Sequence, residues 1–176
     1  MSADEEFTNL HVVDHPLVLH KLSHLRDETT STNDFRALLR EMALLIGYEI
    51  TRKLDMSSKM ISTPITRMEA PILASVKPAI VPVLRAGLGM AEGLSQLIPT
   101  APIGHIGLFR DPETKRPVEY YVRLPDNKDR LFILVDPMLA TGYSASYAVD
   151  VLNKYGVPDS KIRFMAMVAA PEGMRA

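Results

Sequence analysis

Short apolar runs that end in polar residues and alternate with helical stretches constrain this chain more than any other feature. Ala79-Ile80-Val81-Pro82-Val83-Leu84 is one such run, ended by Arg85-Ala86-Gly87 and followed by a helical stretch to Ile98. Pro102 to Phe109 is a second, ended by Arg110-Asp111-Pro112. Val118 to Leu124 reads as extended and partly alternating. Leu131-Phe132-Ile133-Leu134-Val135 is the most strand-like run. It stops at Asp136 and a loop, and a helix follows from about Ser144 to Tyr155, closed by Gly156 and Pro158. Ile162 to Ala170 reads as a last buried strand. Strands that are apolar on both faces belong inside a parallel sheet covered by helices, so the pattern predicts an α/β domain. Ligands of such sheets lie beyond the carboxyl ends of the strands. Arg85, Arg110 and Asp136 occupy three such ends and are candidates to converge on one crevice.

The N-terminal part has a different texture. Pro16 to Arg26 reads as a short helix entered through a proline in its first turn. Ser31-Thr32-Asn33-Asp34 is an N-cap signal with an acid three residues after the serine. Phe35, Leu38, Leu39, Met42, Leu45 and Ile46 follow at helical spacing, so a helix is expected over Thr32 to Lys53, its apolar stripe turned to the core. Met60 to Glu69 reads as extended and broken by Pro64, as an edge strand or an arm would be. Composition then excludes whole classes. Twenty basic against 21 acidic residues leave a formal charge of −1, which argues against a nucleic-acid binder that works by bulk charge. No apolar stretch approaches the roughly eighteen residues a membrane-spanning helix needs. The acidic opening, Met1 to Leu10, does not read as a targeting peptide. Without cysteine there are no disulfides, thiolate metal sites or cysteine nucleophiles. A cytoplasmic, single-domain protein is the expectation.

The segment with most chemistry in it is Asp136-Pro137-Met138-Leu139-Ala140-Thr141-Gly142-Tyr143-Ser144. A strand ends in an acid, a short loop follows, and a helix begins. Unpaired amides at a helix start lie at the positive end of the helix dipole and can hold a phosphate. Thr141 and Ser144 add hydroxyl donors, and Gly142 lets the main chain approach closely. Asp136 is the wrong sign for phosphate, but a carboxylate accepts well from a pair of sugar hydroxyls. An acid beside an anion cradle suggests a ribose 5-phosphate. The same spacing also suits an Asp in a turn, with Thr or Ser capping the next helix.

This loop closely resembles the phosphoribosyl-diphosphate loop of the uracil phosphoribosyltransferase family. The resemblance extends to His15-Pro16-Leu17-Val18, the helix with Phe35-Arg36-Ala37-Leu38-Leu39-Arg40-Glu41, Thr63-Pro64 and Leu84-Arg85-Ala86-Gly87-Leu88-Gly89-Met90. It also covers His105-Ile106-Gly107-Leu108-Phe109-Arg110-Asp111-Pro112-Glu113-Thr114 and Ala169-Ala170-Pro171-Glu172-Gly173. An ordered set of motifs is far more specific than any one of them. The resemblance implies a type I phosphoribosyltransferase-like fold, with N-terminal helices and an extended β-arm over about residues 14–70 and a substrate-binding core over about 71–176 of one domain, 1–176. It implies catalytic roles for Arg85 and Asp136. Phosphoribosyl diphosphate would be bound by Arg85, Arg110, Asp136, Pro137, Met138, Leu139, Ala140, Thr141, Gly142, Tyr143 and Ser144. The reaction implied is uracil plus phosphoribosyl diphosphate giving UMP plus diphosphate, in pyrimidine salvage. Guanidinium forks suit the diphosphate oxygens, and a magnesium ion is expected on the diphosphate, held largely by substrate oxygens and water. A homodimer or higher oligomer is implied, GTP is a candidate effector, and neither nucleic acid nor membrane is an expected partner. The Arg85-Ala86 peptide is a candidate cis bond.

Two departures stand out. The family has a second glycine where this chain has Tyr143; a positive φ there would strain tyrosine, whereas a right-handed conformation would only add bulk, and we expect the latter. The family also continues past Pro-Glu-Gly with a Gly-Tyr-Ile-Val-Pro-Gly-Leu-Gly-Asp-Ala-Gly-Asp stretch that clamps the base, and residues 170–176 do not match it. The expectation is a chain carrying the phosphoribosyl-diphosphate half of the site and lacking the C-terminal base half. The opposing class is a non-catalytic homologue that binds phosphoribosyl diphosphate or a nucleotide as a sensor or subunit. Weaker signals have plainer readings. Gly87-Leu88-Gly89-Met90-Ala91-Glu92-Gly93 is one residue off a dinucleotide fingerprint and reads as close helix–sheet packing. His20 and His24 share a helix face without a third ligand and read as solvated. Arg110, Lys115, Arg116, Arg123, Lys128 and Arg130, interleaved with acids, read by default as a solvated loop.

Overall fold

In a computed structural model of the chain, residues 7–74, 76–114, 116–127 and 129–176 are described. Residues 1–6, Ser75, Lys115 and Lys128 lie outside them. The N-terminal helices form where the sequence places them, α1 over Pro16–Leu25 and α2 over Thr32–Ile50. Ser31 caps α2 through its hydroxyl, which accepts from the Asp34 amide at 3.1 Å. Helix α2 ends at Ile50, three residues before the expected Lys53. Thr51 leaves the helix there with its hydroxyl bonded back to the carbonyls of Gly47 and Tyr48, and the side chain of Arg163 caps the Ile50 carbonyl. A hairpin arm follows, β1 (Met56–Ser62) paired antiparallel with β2 (Arg67–Leu73) around a turn holding Pro64.

The core sheet is built from β3 (Ala79–Leu84), β4 (His105–Arg110), β5 (Pro117–Arg123), β6 (Phe132–Val135) and β8 (Ile162–Met165), in the order β5-β4-β3-β6-β8. Pairs β3–β4, β3–β6 and β6–β8 are parallel; only β5 runs antiparallel, at the edge. Helix α3 (Leu88–Leu97) connects β3 to β4, and α4 (Tyr143–Lys154) connects β6 toward β8. The expected single strand over Ile162 to Ala170 is split. Its first half is β8; its second half is β9 (Val168–Ala169), which leaves the sheet to pair with β7 (Met138–Leu139). The chain closes with the short α5 (Pro171–Arg175).

Side chains alternate across the sheet, as pleating requires. Ile80, Ile133, Val135 and Met165 join Leu39, Met42, Met90 and Leu94 in one core cluster under α2 and α3. Ala79, Val81, Val83, Phe132 and Leu134 join Ala148, Val151 and Leu152 in another under α4. With α3 and α4 on opposite faces, the chain turns away in opposite directions after β3 and after β6. The carboxyl ends of these neighbours therefore flank a topological switch point, where an open parallel sheet leaves a crevice. The glycines after β3 serve packing. A Cβ on Gly89 would meet the Leu39 side chain, and one on Gly93 would lie 2.4 Å from the carbonyl oxygen of Arg40. Helix α3 thus rides directly on α2, and no dinucleotide turn is formed.

Arg130 corrects the reading of the basic stretch as solvated. Its guanidinium is largely buried, pairs with Asp126 at 2.6 Å and donates to the Lys77 carbonyl at 2.8 Å. It ties the approach to β6 to the approach to β3. No helix among the described residues is long and apolar enough to cross a membrane. Phe132, fully buried at the head of β6, is the clearest test of this core: Phe132→Ala leaves a cavity and is expected to cost about 3–5 kcal/mol in denaturant unfolding.

Candidate functional site

Three strand ends meet at the switch point. The Pro82–Val135 register of β3 and β6 brings Leu84-Arg85 and Asp136 to neighbouring positions, and Arg110 is the last residue of β4. The turn after β3 presses on the end of β6: a Cβ on Gly87 would lie 2.4 Å from the carbonyl oxygen of Val135. Only glycine permits that approach. Gly87 also donates its amide to the Val83 carbonyl at 2.9 Å, which folds the turn back on its own strand and leaves Arg85 exposed. The one cis peptide among the described residues joins Leu84 to Arg85, so the bond expected to be cis, Arg85–Ala86, is trans. The chain reverses at the last peptide of the strand rather than after the arginine.

Asp136 sits half-buried at the end of β6. Its amide donates to the Met165 carbonyl at 3.2 Å. Burial pushes its carboxyl up to about 6, against smaller downward pulls from the Met138 amide and the Arg110 charge. Arg110 itself is exposed, and Asp111 beside it is used locally. Its carboxylate accepts from the amides of Thr114 (2.7 Å) and Glu113 (3.0 Å) and from the Thr114 hydroxyl (3.0 Å). Those bonds, the Thr114 amide foremost, hold Asp111 below the usual carboxylate range and shape the turn that follows Arg110.

The loop from Pro137 to Ser144 divides in two. The first half is braced: the Pro137 carbonyl accepts from the amides of Met167 and Val168, and the Leu139 carbonyl accepts from the Ala170 amide at 2.8 Å. Pairing of β7 with β9 accounts for this, and it leaves the Met138 side chain exposed. The second half is open. Gly142 takes φ +82 at the N-cap of α4, and no side chain caps that helix. The first ladder bond runs from the Ser146 amide to the Gly142 carbonyl at 2.8 Å, so the amides of Tyr143, Ser144 and Ala145 have no partner within the helix. Thr141 and Ser144 flank them, half-buried, and Tyr143 is exposed. The left-handed residue is Gly142; Tyr143 is the first helical residue, so the tyrosine bears no backbone strain. Neither Thr nor Ser caps the helix, whereas the Asp136 carboxyl does bond locally, to the Met138 amide. The geometry offers an uncapped, positively poled helix start beside an acid, with two arginines at the ends of the next strands, β3 and β4.

Among the described residues no group of three or more His, Asp or Glu side chains gathers as a metal cage. His20 and His24 stack edge-on, with ring centroids 4.6 Å apart. What the sequence did not disclose is Gly173. It is buried in α5 against the Leu139 and Ala140 carbonyls. A glycine inside the first turn of a helix, where propensity disfavours it, is the only local sign.

A protein-family model for uracil phosphoribosyltransferase matches residues 12–176. The uracil phosphoribosyltransferase of Ralstonia pickettii (strain 12J) is 62% identical over 174 residues, 99% of this chain and 80% of the relative. That of Paraburkholderia phymatum is 59% identical over 175 residues, 99% of this chain and 81% of the relative. Among solved structures, the AQ2163 protein from Aquifex aeolicus superposes with a TM-score of 0.88 at 33% identity, covering 94% of this chain and 78% of that one. A purine phosphoribosyltransferase from Pyrococcus horikoshii shares the fold, with a TM-score of 0.54 at 20% identity over 76% of this chain and 74% of its own.

The electrostatics of Asp136 give a stability signature. A carboxyl whose folded value lies near 6, above its ordinary 3.8, binds its proton more tightly in the folded state. Stability therefore falls as pH rises from about 4 to about 6 and levels off above. Denaturant unfolding across that range is expected to show this decline in the parent and a smaller one in Asp136→Asn.

Proposed function

Because the chain belongs to the uracil phosphoribosyltransferase family, we propose that it joins N1 of uracil to C1 of 5-phosphoribosyl 1-diphosphate, releasing diphosphate and giving UMP. The observation that carries the reading of the site is the uncapped start of α4 next to Asp136 at the β3/β6 switch point. The amides of Tyr143, Ser144 and Ala145, with the hydroxyls of Thr141 and Ser144, hold the 5-phosphate as a helix start holds an anion. Pro137, Met138, Leu139 and Ala140 set the height of that cradle. Asp136 accepts from the ribose hydroxyls, which restores to its carboxylate the polar partners that burial removed.

In the transfer the bond from C1 to the diphosphate oxygen breaks, and its electron pair leaves with the diphosphate. C1 gains oxocarbenium character, and N1, losing its proton, supplies the pair for the new bond. No nucleophilic side chain is needed; the chain contributes position and charge. Arg85 and Arg110, exposed at the ends of β3 and β4, meet the charge that grows on the leaving group. Magnesium, when bound, supplies further neutralisation on the diphosphate. Asp136 is the one carboxylate among the proposed site residues, which suits an ion carried by substrate oxygens and water rather than by a protein cage.

The working unit is an oligomer of identical chains in the cytoplasm. The arm of β1 and β2 is exposed along nearly its whole length and tipped by Ile65, 95% exposed. A bare two-stranded ribbon bearing Met60, Ile61, Met68 and Ile72 is marginal in water. A second copy is the simplest cover, and the exposed Leu17 and Leu19 of α1 add to the same kind of surface.

Titration with 5-phosphoribosyl 1-diphosphate, followed by an assay for UMP, tests the reading. The parent is expected to bind and turn over. Asp136→Asn is expected to lose affinity by about 1–3 kcal/mol, the worth of charge-assisted bonds to the ribose; full affinity would remove the ribose contact. Tyr143→Gly is expected to change affinity by less than about tenfold, or 1.4 kcal/mol, because Tyr143 is unstrained.

A further inference from the structure

Segment 167–176 packs on the Pro137–Gly142 loop mainly through main chain. A Cβ on Gly173 would lie 2.6 Å from the carbonyl oxygen of Ala140 and 2.8 Å from that of Leu139. Gly142 reciprocates: its Cβ would lie 2.9 Å from the Gly173 carbonyl oxygen and 2.4 Å from the Cβ of Ala176. Between these contacts, the Ala170 amide donates to the Leu139 carbonyl and the Met167 and Val168 amides to that of Pro137. The stretch from Pro137 to Gly142 is thus wedged between the helix it opens and the segment 167–176. Side-chain ends give way to a new methyl by rotating; a main-chain carbonyl moves only with its peptide.

We infer that Gly173 is a positioning residue for the phosphate cradle. Its missing side chain lets α5 seat on the Leu139 and Ala140 carbonyls. That seat fixes the direction in which the chain enters Gly142 and aims the amides of Tyr143, Ser144 and Ala145. The inference rests on the reading of those amides as the 5-phosphate cradle. A methyl at Gly173 must displace the Ala140 carbonyl, and the displacement passes within two residues to the first amides of α4. Anion sites of this kind tolerate only about half an ångström of misplacement, and errors near one ångström cost up to about a hundredfold.

A second crowded glycine separates this role from packing in general. Gly93 faces the Arg40 carbonyl at a comparable 2.4 Å, but between α2 and α3 rather than at the loop. The test is calorimetric titration of 5-phosphoribosyl 1-diphosphate, with magnesium, into the full chain and into Gly173→Ala, Gly93→Ala and Ala170→Pro. Gly173→Ala is expected to keep its circular dichroism spectrum and to bind at least about tenfold more weakly. Gly93→Ala is expected to melt at a lower temperature and yet bind within about threefold of the parent. Ala170→Pro removes the amide that holds the Leu139 carbonyl and sets a ring carbon in its place while leaving Gly173 unaltered; it is expected to weaken binding in the same direction. It decides the matter if Gly173→Ala does not fold. Parent-like binding by folded Gly173→Ala, or by Ala170→Pro in its place, would overturn the inference. So would an equal loss in Gly93→Ala, since any packing defect would then suffice. Failure of the unaltered chain to bind removes the cradle reading itself, which is a different result from parent-like binding by Gly173→Ala.

Discussion

The contact on which the rest of the site depends is between two main chains. The turn after β3 presses Gly87 onto the carbonyl of Val135, with room for a hydrogen and not for a carbon. That contact closes the top of the sheet between β3 and β6. It puts Arg85 and Asp136 on either side of one crevice and seats α3, which begins one residue later, against α2. Without it, the two strand ends would still be neighbours by register, but the residues that follow them would not be. Binding groups here are held by backbone crowding on a rigid parallel sheet, which is a stiffer support than side-chain packing on a mobile loop.

Charge is distributed on that frame with a cost attached. The arginines at the strand ends are exposed and well solvated, so holding them there costs the empty protein little. Asp136 is different, since its half-buried position disfavours the ionised form. The cradle likewise leaves three helix-start amides without a capping side chain. The protein thus keeps an acid short of partners beside donors short of acceptors. The ribose phosphate proposed above would present hydroxyls to the first and oxyanions to the second, and so satisfy both at once.

Much of this was legible in local sequence, because much of it is local. The runs Ala79–Leu84 and Phe132–Val135 are apolar without alternation because both faces of each strand are covered, and that pattern needs no knowledge of the partners. Ser31 and Asp34 announce the start of α2 within four residues. Arg85, Arg110 and Asp136 could be placed at strand ends because strands of this kind stop where the apolar run stops. The rest depends on contacts distant in sequence. Ile162 to Ala170 looks like one strand, since nothing in its composition says that Val168 must turn aside to pair with Met138. Arg130 looks solvated in its own neighbourhood; the Lys77 carbonyl that buries it is more than fifty residues away. Gly173 shows locally only that a glycine stands in the first turn of a helix, and nothing of the distant carbonyls that press on it. The position of the cis peptide was off by one bond, because residue identity did not distinguish the last peptide of β3 from the first of the turn.

The central claim is that the unpaired amides at the start of α4 receive the substrate's 5-phosphate. Hydrogen–deuterium exchange resolved to single amides, with and without ribose 5-phosphate, measures it directly. The amides of Tyr143, Ser144 and Ala145 are expected to become strongly protected on addition of the ligand, while those of β1 and β2 in the arm stay unchanged. Unchanged exchange at those three amides in a complex shown to form, or protection confined to another part of the chain, would contradict it.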